Sequence, residues 1–86
     1  MEFLVCFTAL EQYVKRTVHS GKLATRFKTL ATARASSADA RADIEEFRAL
    51  YSVRNNLSHE GHLPSDRSYA NRTRALLARY MQKPAP

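Results

Sequence analysis

Apolar side chains at the start of the chain recur every three or four positions: Phe3, Phe7, Leu10, Val14 and Val18, with Leu4 and Tyr13 widening the stripe. That spacing puts them on one helical face and predicts a first helix from about Glu2 to His19. Ser20-Gly21 closes it, glycine being favoured in a left-handed cap. Leu23, Phe27 and Leu30 mark a second helix, with Lys22, Arg26, Lys28 and Arg34 off its apolar face. The run from Ala31 to Ala35 blurs its end and leaves open whether the next helix is separate. Ser36-Ser37-Ala38-Asp39 suits a helix start, because Ser36 can accept from the third helical N–H and Asp39 favours the positive helix end. A third helix follows from about Ala38 to His59, with Gly61 placed as a C-cap. Pro64-Ser65-Asp66 restarts the chain as a fourth, whose apolar members are Tyr69, Leu76, Leu77, Tyr80 and Met81. Lys83 to Pro86 read as a frayed tail.

Four amphipathic helices with short connections predict an all-α fold, most economically an antiparallel bundle. At 86 residues the chain supports one hydrophobic core and one domain. An apolar fraction of 44% excludes a disordered chain, and two Gly and three Pro are too few turn residues for a many-stranded β-fold. A domain this small is marginally stable alone, which favours pairing. Cys6 is the one cysteine; it forms no internal disulfide and reads as a small packed hydrophobe in a reducing compartment. Glu2, Glu11 and Lys15 interrupt the N-terminal apolar run, so neither a signal peptide nor a membrane span is expected. The expected location is cytoplasmic.

Charge adds a candidate partner. The net charge is +6, divided as +4 over residues 1–35, −2 over 36–60 and +4 over 61–86. Basic lobes on either side of an acidic middle suit RNA or a partner with acidic patches, set against an ordinary solvated surface. Arg67, Arg72, Arg74 and Arg79 on the fourth helix are either a solvated face or an RNA-backbone track.

The third helix holds one violation of its own pattern. Ile44, Phe47, Leu50 and Tyr51 define its apolar stripe, and Arg54 falls within about 30° of the centre of that stripe. An arginine there must find an anionic or hydrogen-bonding partner, or face something other than its own core. Asn55 and Ser58 extend the polar interruption. His59 lies about 140° round from Arg54, but Asn55 is four residues before it and can orient the imidazole while the long Arg54 side chain reaches round. The negative helix C-terminus raises a histidine's pKa toward neutrality, which suits proton transfer.

Leu50-Tyr51-Ser52-Val53-Arg54-Asn55-Asn56-Leu57-Ser58-His59-Glu60-Gly61 resembles the signature of the HEPN superfamily, in which an Arg, four to six intervening residues and a His end one helix of a small bundle. The Asn after the Arg, the small residue before the His and the Gly after it agree with common versions. The resemblance implies a metal-independent ribonuclease without a cofactor, built at a homodimer interface through the motif helix and acting as a toxin or phage-defence effector. It implies attack of the RNA 2′-hydroxyl on the adjacent phosphorus, leaving a 2′,3′-cyclic phosphate and a 5′-hydroxyl. His59 would serve as general base or acid, Arg54 would neutralise charge on the phosphoryl oxygens, and Asn55 would hold geometry. Arg67, Arg72 and Ser58 are the candidates for contacting the rest of the RNA. The chain is shorter than most members. Where the toxin branch regulated by nucleotidyltransferases carries a modifiable Tyr two positions after the His, this chain has Gly61; another antitoxin or a larger defence complex is the compatible partner.

Other readings compete. Arg54 and His59 also fit an ordinary helix C-terminus, with His on the dipole and Arg paired to an acid. A non-catalytic HEPN-like module binding RNA or assembling a larger complex would show salt-sensitive binding without product. A DNA-binding bundle would use the fourth helix, without helix-turn-helix spacing to support it. His59, Glu60 and His62 lack a third fixed ligand of metal-site type. Tyr51 and Tyr80 read as core or interface residues.

Overall fold

The computed structural model describes residues 1–60 and 65–82, except for the side chains of 58–60. Four helices account for these residues: α1 (Glu2–Thr17), α2 (Leu23–Arg34), α3 (Ser37–Glu60) and α4 (Asp66–Gln82), and there is no strand among the described residues. Phe3, Phe7, Leu10 and Val14 are the buried line of α1, as their spacing requires. That helix stops at Thr17, short of the expected His19, because Val18 turns to an extended conformation, leaving its N–H on the Val14 carbonyl. Gly21 takes the positive φ (102°) foreseen for a glycine, but in the connection and not as the cap. Its carbonyl accepts from Arg26 Nε at 2.7 Å. Ala35 is extended, so α2 and α3 are separate helices. The Asp39 N–H donates to Ser36 Oγ at 3.2 Å, the N-cap expected of that serine.

The bundle departs from a fully antiparallel one. Asp66 at the start of α4 accepts the backbone N–H groups of Glu2 and Phe3 at the start of α1, each at 3.0 Å. Tyr13, late in α1, donates from its hydroxyl to the Tyr80 carbonyl late in α4. Contacts at both ends in the same order make α1 and α4 parallel neighbours. In contrast, α3 and α4 are antiparallel, since Asp43 meets Tyr80 while Glu46, one turn later, meets Arg72. With 12 residues against 24 in α3, α2 spans about 18 Å against about 36 Å and does not act as a return leg along α1. Arg34 at the end of α2 instead reaches the Tyr13 hydroxyl at 2.6 Å, back near the end of α1.

One core draws on all four helices, with a stack of aromatic rings at its centre. Phe27 of α2 lies flat on Phe47 of α3, centroids 4.4 Å apart, while Phe7 packs on Phe47 and the Tyr80 ring meets Phe27 edge-on. Offset and edge-to-face ring pairs each add about 0.5–1.5 kcal/mol beyond the area they bury. Cys6 is half-buried against this core. No helix among the described residues is long and apolar enough to cross a membrane.

Asp43 is the unexpected core residue. It is 2% exposed, accepts from the Tyr80 hydroxyl at 2.7 Å and pairs with Arg79. Burial, reinforced by this hydrogen bond to Asp43, pushes the Tyr80 phenol well above its ordinary pKa, so it stays a donor. On the same α3–α4 seam, Arg72 grips Glu46 with two N–H groups, at 2.5 and 3.0 Å. The hydrogen bond from Arg72 holds the Glu46 carboxyl below its ordinary range. A carboxylate with a depressed folded pKa stabilises the fold above its unfolded pKa, and the contribution is lost as pH falls through the folded value. Glu46→Gln is therefore expected to lower stability slightly near neutrality, by less than about 1 kcal/mol for so exposed a pair. The difference should vanish once acid protonates the carboxyl in the folded as well as the unfolded state. Thermal melts near neutrality and in acid check this, and a gap that persists in acid would contradict it.

Candidate functional site

The stripe of α3 changes character along the helix. Ala40, Asp43, Phe47 and Leu50 are buried beneath α1, α2 and α4, but the same side of the helix emerges at Arg54. Its side chain is 44% exposed. Arg54 therefore does not point into the core of its own chain, which resolves the violation in the sequence pattern: α3 outruns the short α2, and its later turns lose that cover.

Arg54 Nη1 donates to Asn55 Oδ1 at a long 3.4 Å, and Nη2 lies 3.9 Å from Glu11 Oε1 on α1. Glu11 is held more closely by Lys15, at 2.9 Å one turn away. An exposed pair at the limit of ion-pair distance is worth little, about 0–1 kcal/mol. Among the described residues the guanidinium fork therefore keeps N–H groups free to take a bidentate anion, carboxylate or phosphate. Arg54 and Asn55 share with Leu4 of α1 and Leu57 the lining of an open depression of about 400 Å³. The geometry thus brings together two of the three expected catalytic residues, a cation and an amide, on a surface that an anion can reach.

His59 belongs to α3, but its side chain, like that of Ser58, lies outside the described residues, as do Gly61 and His62. The metal reading of His59, Glu60 and His62 falls in the same stretch. Among the described residues no group of three His, Cys, Asp or Glu side chains is placed to hold a metal ion.

The arginines of α4 separate into two kinds. Arg67 is exposed in its first turn, at the end of the bundle where α1 begins and α3 finishes, and has no ion-pair partner among the described residues. The others are engaged in ion pairs within the fold: Arg72 sits on Glu46 with its guanidinium 5.2 Å from the centre of the Tyr69 ring, Arg74 on Glu2 at 3.4 Å and Arg79 on Asp43. Glu11 escaped the reading of the sequence. It lies 43 positions from Arg54, and no local pattern joins the two.

No known protein family, curated protein or solved structure matches the chain. What the site can do is set by its own residues and their arrangement.

The exposed side of α1 next to the depression is also unusual. Leu4, Val5, Thr8, Ala9 and Gln12 are all exposed, and none carries a charge. Leu4 is 38% and Val5 71% exposed, with Met1 beside them at 49%. Single exposed apolar residues need no explanation, whereas an uncharged strip along three turns of a basic protein suits a surface that another chain covers.

Proposed function

We propose that this chain is a metal-independent endoribonuclease of HEPN type, working as a homodimer in a toxin or phage-defence role. The observation that carries the proposal is the emergence of Arg54 from the core line of α3, exposed beside Asn55 and next to the uncharged strip of α1. An arginine so placed serves a bound anion, and the strip beside it supplies the face on which a second copy of the motif would be brought up.

In this reading the RNA phosphate sits against Arg54, whose guanidinium stabilises the added charge on the non-bridging oxygens as the phosphorus becomes five-coordinate. The 2′-oxygen bonds to phosphorus while the bond to the 5′-oxygen breaks. One imidazole takes the 2′-hydroxyl proton, and the partner's His59 gives a proton to the departing 5′-oxygen, so that a 2′,3′-cyclic phosphate and a 5′-hydroxyl result. Asn55 keeps the guanidinium and imidazole in register.

The test is incubation with total RNA in excess EDTA, followed by analysis of the product ends. Cyclic-phosphate ends are expected; intact RNA from a folded dimer would overturn the nuclease reading. Glu11, close enough to compete with phosphate for Arg54, favours a second reading, a non-catalytic module that binds RNA or assembles a larger complex. It predicts salt-sensitive RNA binding without products.

The dimer face has its own test. Val5→Glu places a charge in the uncharged strip at a position where the folded monomer tolerates it, within about 0.5 kcal/mol. Sedimentation should show a shift from dimer to monomer with helical content unchanged, and RNA cleavage should fall with the dimer fraction. A variant that stays dimeric would remove α1 from the interface.

A further inference from the structure

Of the α4 arginines, read as either a solvated face or an RNA-backbone track, Arg72, Arg74 and Arg79 are engaged in ion pairs and Arg67 is not; further cations without such partners among the described residues lie on other helices. Arg41 and Arg48 on α3 and Lys28 on α2 are exposed and have no ion-pair partner among the described residues. Arg41 and Arg48 stand on the rim of an open groove of about 500 Å³ between α2 and α3, floored by Ala35, Ala40 and Ile44. A second depression along α2, holding Lys28, shares Thr32 with the first, so the two form one surface.

The register of α3 connects this surface to the motif. Arg41, Arg48 and Asn55 are spaced seven residues apart, two helical turns or about 10.5 Å at each step, and so lie on one side of the helix. A strand following that line passes two guanidinium groups and arrives at Asn55, whose side chain accepts from Arg54 one position back on the helix. Glu45 is the one acid lining the groove.

We infer that the α2–α3 groove, through Arg41, Arg48 and Lys28, binds the phosphate backbone of single-stranded RNA and guides it to Arg54 and Asn55. Charge complementarity identifies the occupant as a polyanion: three cations without ion-pair partners among the described residues face one acid, and the apolar floor offers a surface for bases instead of a competing charge. The choice of RNA rests on the nuclease reading.

The experiment measures binding of a labelled single-stranded RNA whose 2′-oxygens are methylated, so that it cannot be cleaved, by the full chain over a range of salt concentrations. Arg41→Ala combined with Arg48→Ala should weaken binding at least about ten-fold at low salt and reduce the slope of log K against log salt by about 1.4, near 0.7 for each lost phosphate contact. Arg74→Ala, on the α1–α4 side and paired with Glu2, should leave both nearly unchanged, and Glu45→Gln should tighten binding. A loss with Arg74→Ala equal, per charge, to that of the groove variants would reduce the effect to net charge and overturn the track. Tighter binding of duplex DNA or an acidic protein would overturn the occupant. Binding that depends on the groove in a chain that never cleaves natural RNA would leave the track standing while the nuclease reading falls, so the two fail separately.

Discussion

Arg54→Ala should lower RNA cleavage by about 10²–10³-fold, the loss typical of removing a preorganised donor to developing negative charge. His59→Ala should cost about 10²–10⁴-fold, the contribution of a positioned proton-transfer group. For Arg54 the fold gives little reason for the change to act through stability. Arg54 is 44% exposed, and its contacts among the described residues are long ones, to Asn55 and Glu11. Helical content and dimer mass should match the parent, so the rate change reads directly as lost chemistry. Arg54→Lys sharpens the test: it restores the charge but not the planar fork, and should recover only part of the rate. If the product ends and rates of both alanine variants equal those of the parent, the motif has no catalytic part. The double variant should fall little below the weaker single one, because groups acting on one transition state are not additive.

The second large effect falls on the fold. Asp43→Ala removes the acceptor of the Tyr80 hydroxyl and the partner of Arg79 together, at a position 2% exposed. Hydrogen bonds to a charged group contribute about 1.5–3 kcal/mol each, and a vacated core position adds its own loss of packing. A destabilisation of about 2–4 kcal/mol is expected. In a domain of this size that lowers Tm by at least about 8 °C. Arg79→Ala, with more than half of that side chain in solvent, should cost about 1 kcal/mol or less. Equal losses from the two would mean that the ion pair, and not the bond to Tyr80, holds the α3–α4 seam. The raised Tyr80 pKa adds a check in alkali: stability from a group with a raised folded pKa is complete below its unfolded value near 10 and declines above it.

Asp43 also shows where the sequence stops speaking. It lies on the same side of α3 as Phe47 and Leu50, yet in a helix whose first turns carry Asp39, Glu45 and Glu46 it reads as one more solvated acid. The partners that bring it inside, Arg79 and Tyr80, are 36 and 37 positions away. The helices themselves were legible because each signal is local: the apolar line of α1, the Ser36 cap of α3 and the Ser65-Asp66 start of α4. Direction was not. That α1 and α4 run parallel is set by pairs such as Phe3–Asp66 and Tyr13–Tyr80, 63 and 67 positions apart, which no local pattern announces. Arg54 was legible as an exception to a pattern, but the pattern does not say whether an exception is buried with a partner or released at the point where a neighbouring helix ends. The α4 arginines look alike in sequence, and only the acids opposite them separate Arg72, Arg74 and Arg79 from Arg67.

The carboxylate of Asp66 has a consequence for the order in which the chain is completed. Met1 provides no side-chain cap for α1, and the N–H groups of Glu2 and Phe3 are satisfied instead by a residue 63 to 64 positions later. Helix α1, synthesised ahead of α4, thus waits for that helix to supply its cap and much of its packing surface. Contacts of such long separation postpone their reward until the intervening loop has closed. A nascent chain ending before residue 66 can cover α1 only with α2 and α3, and the side of α1 that meets α4 stays open until α4 docks.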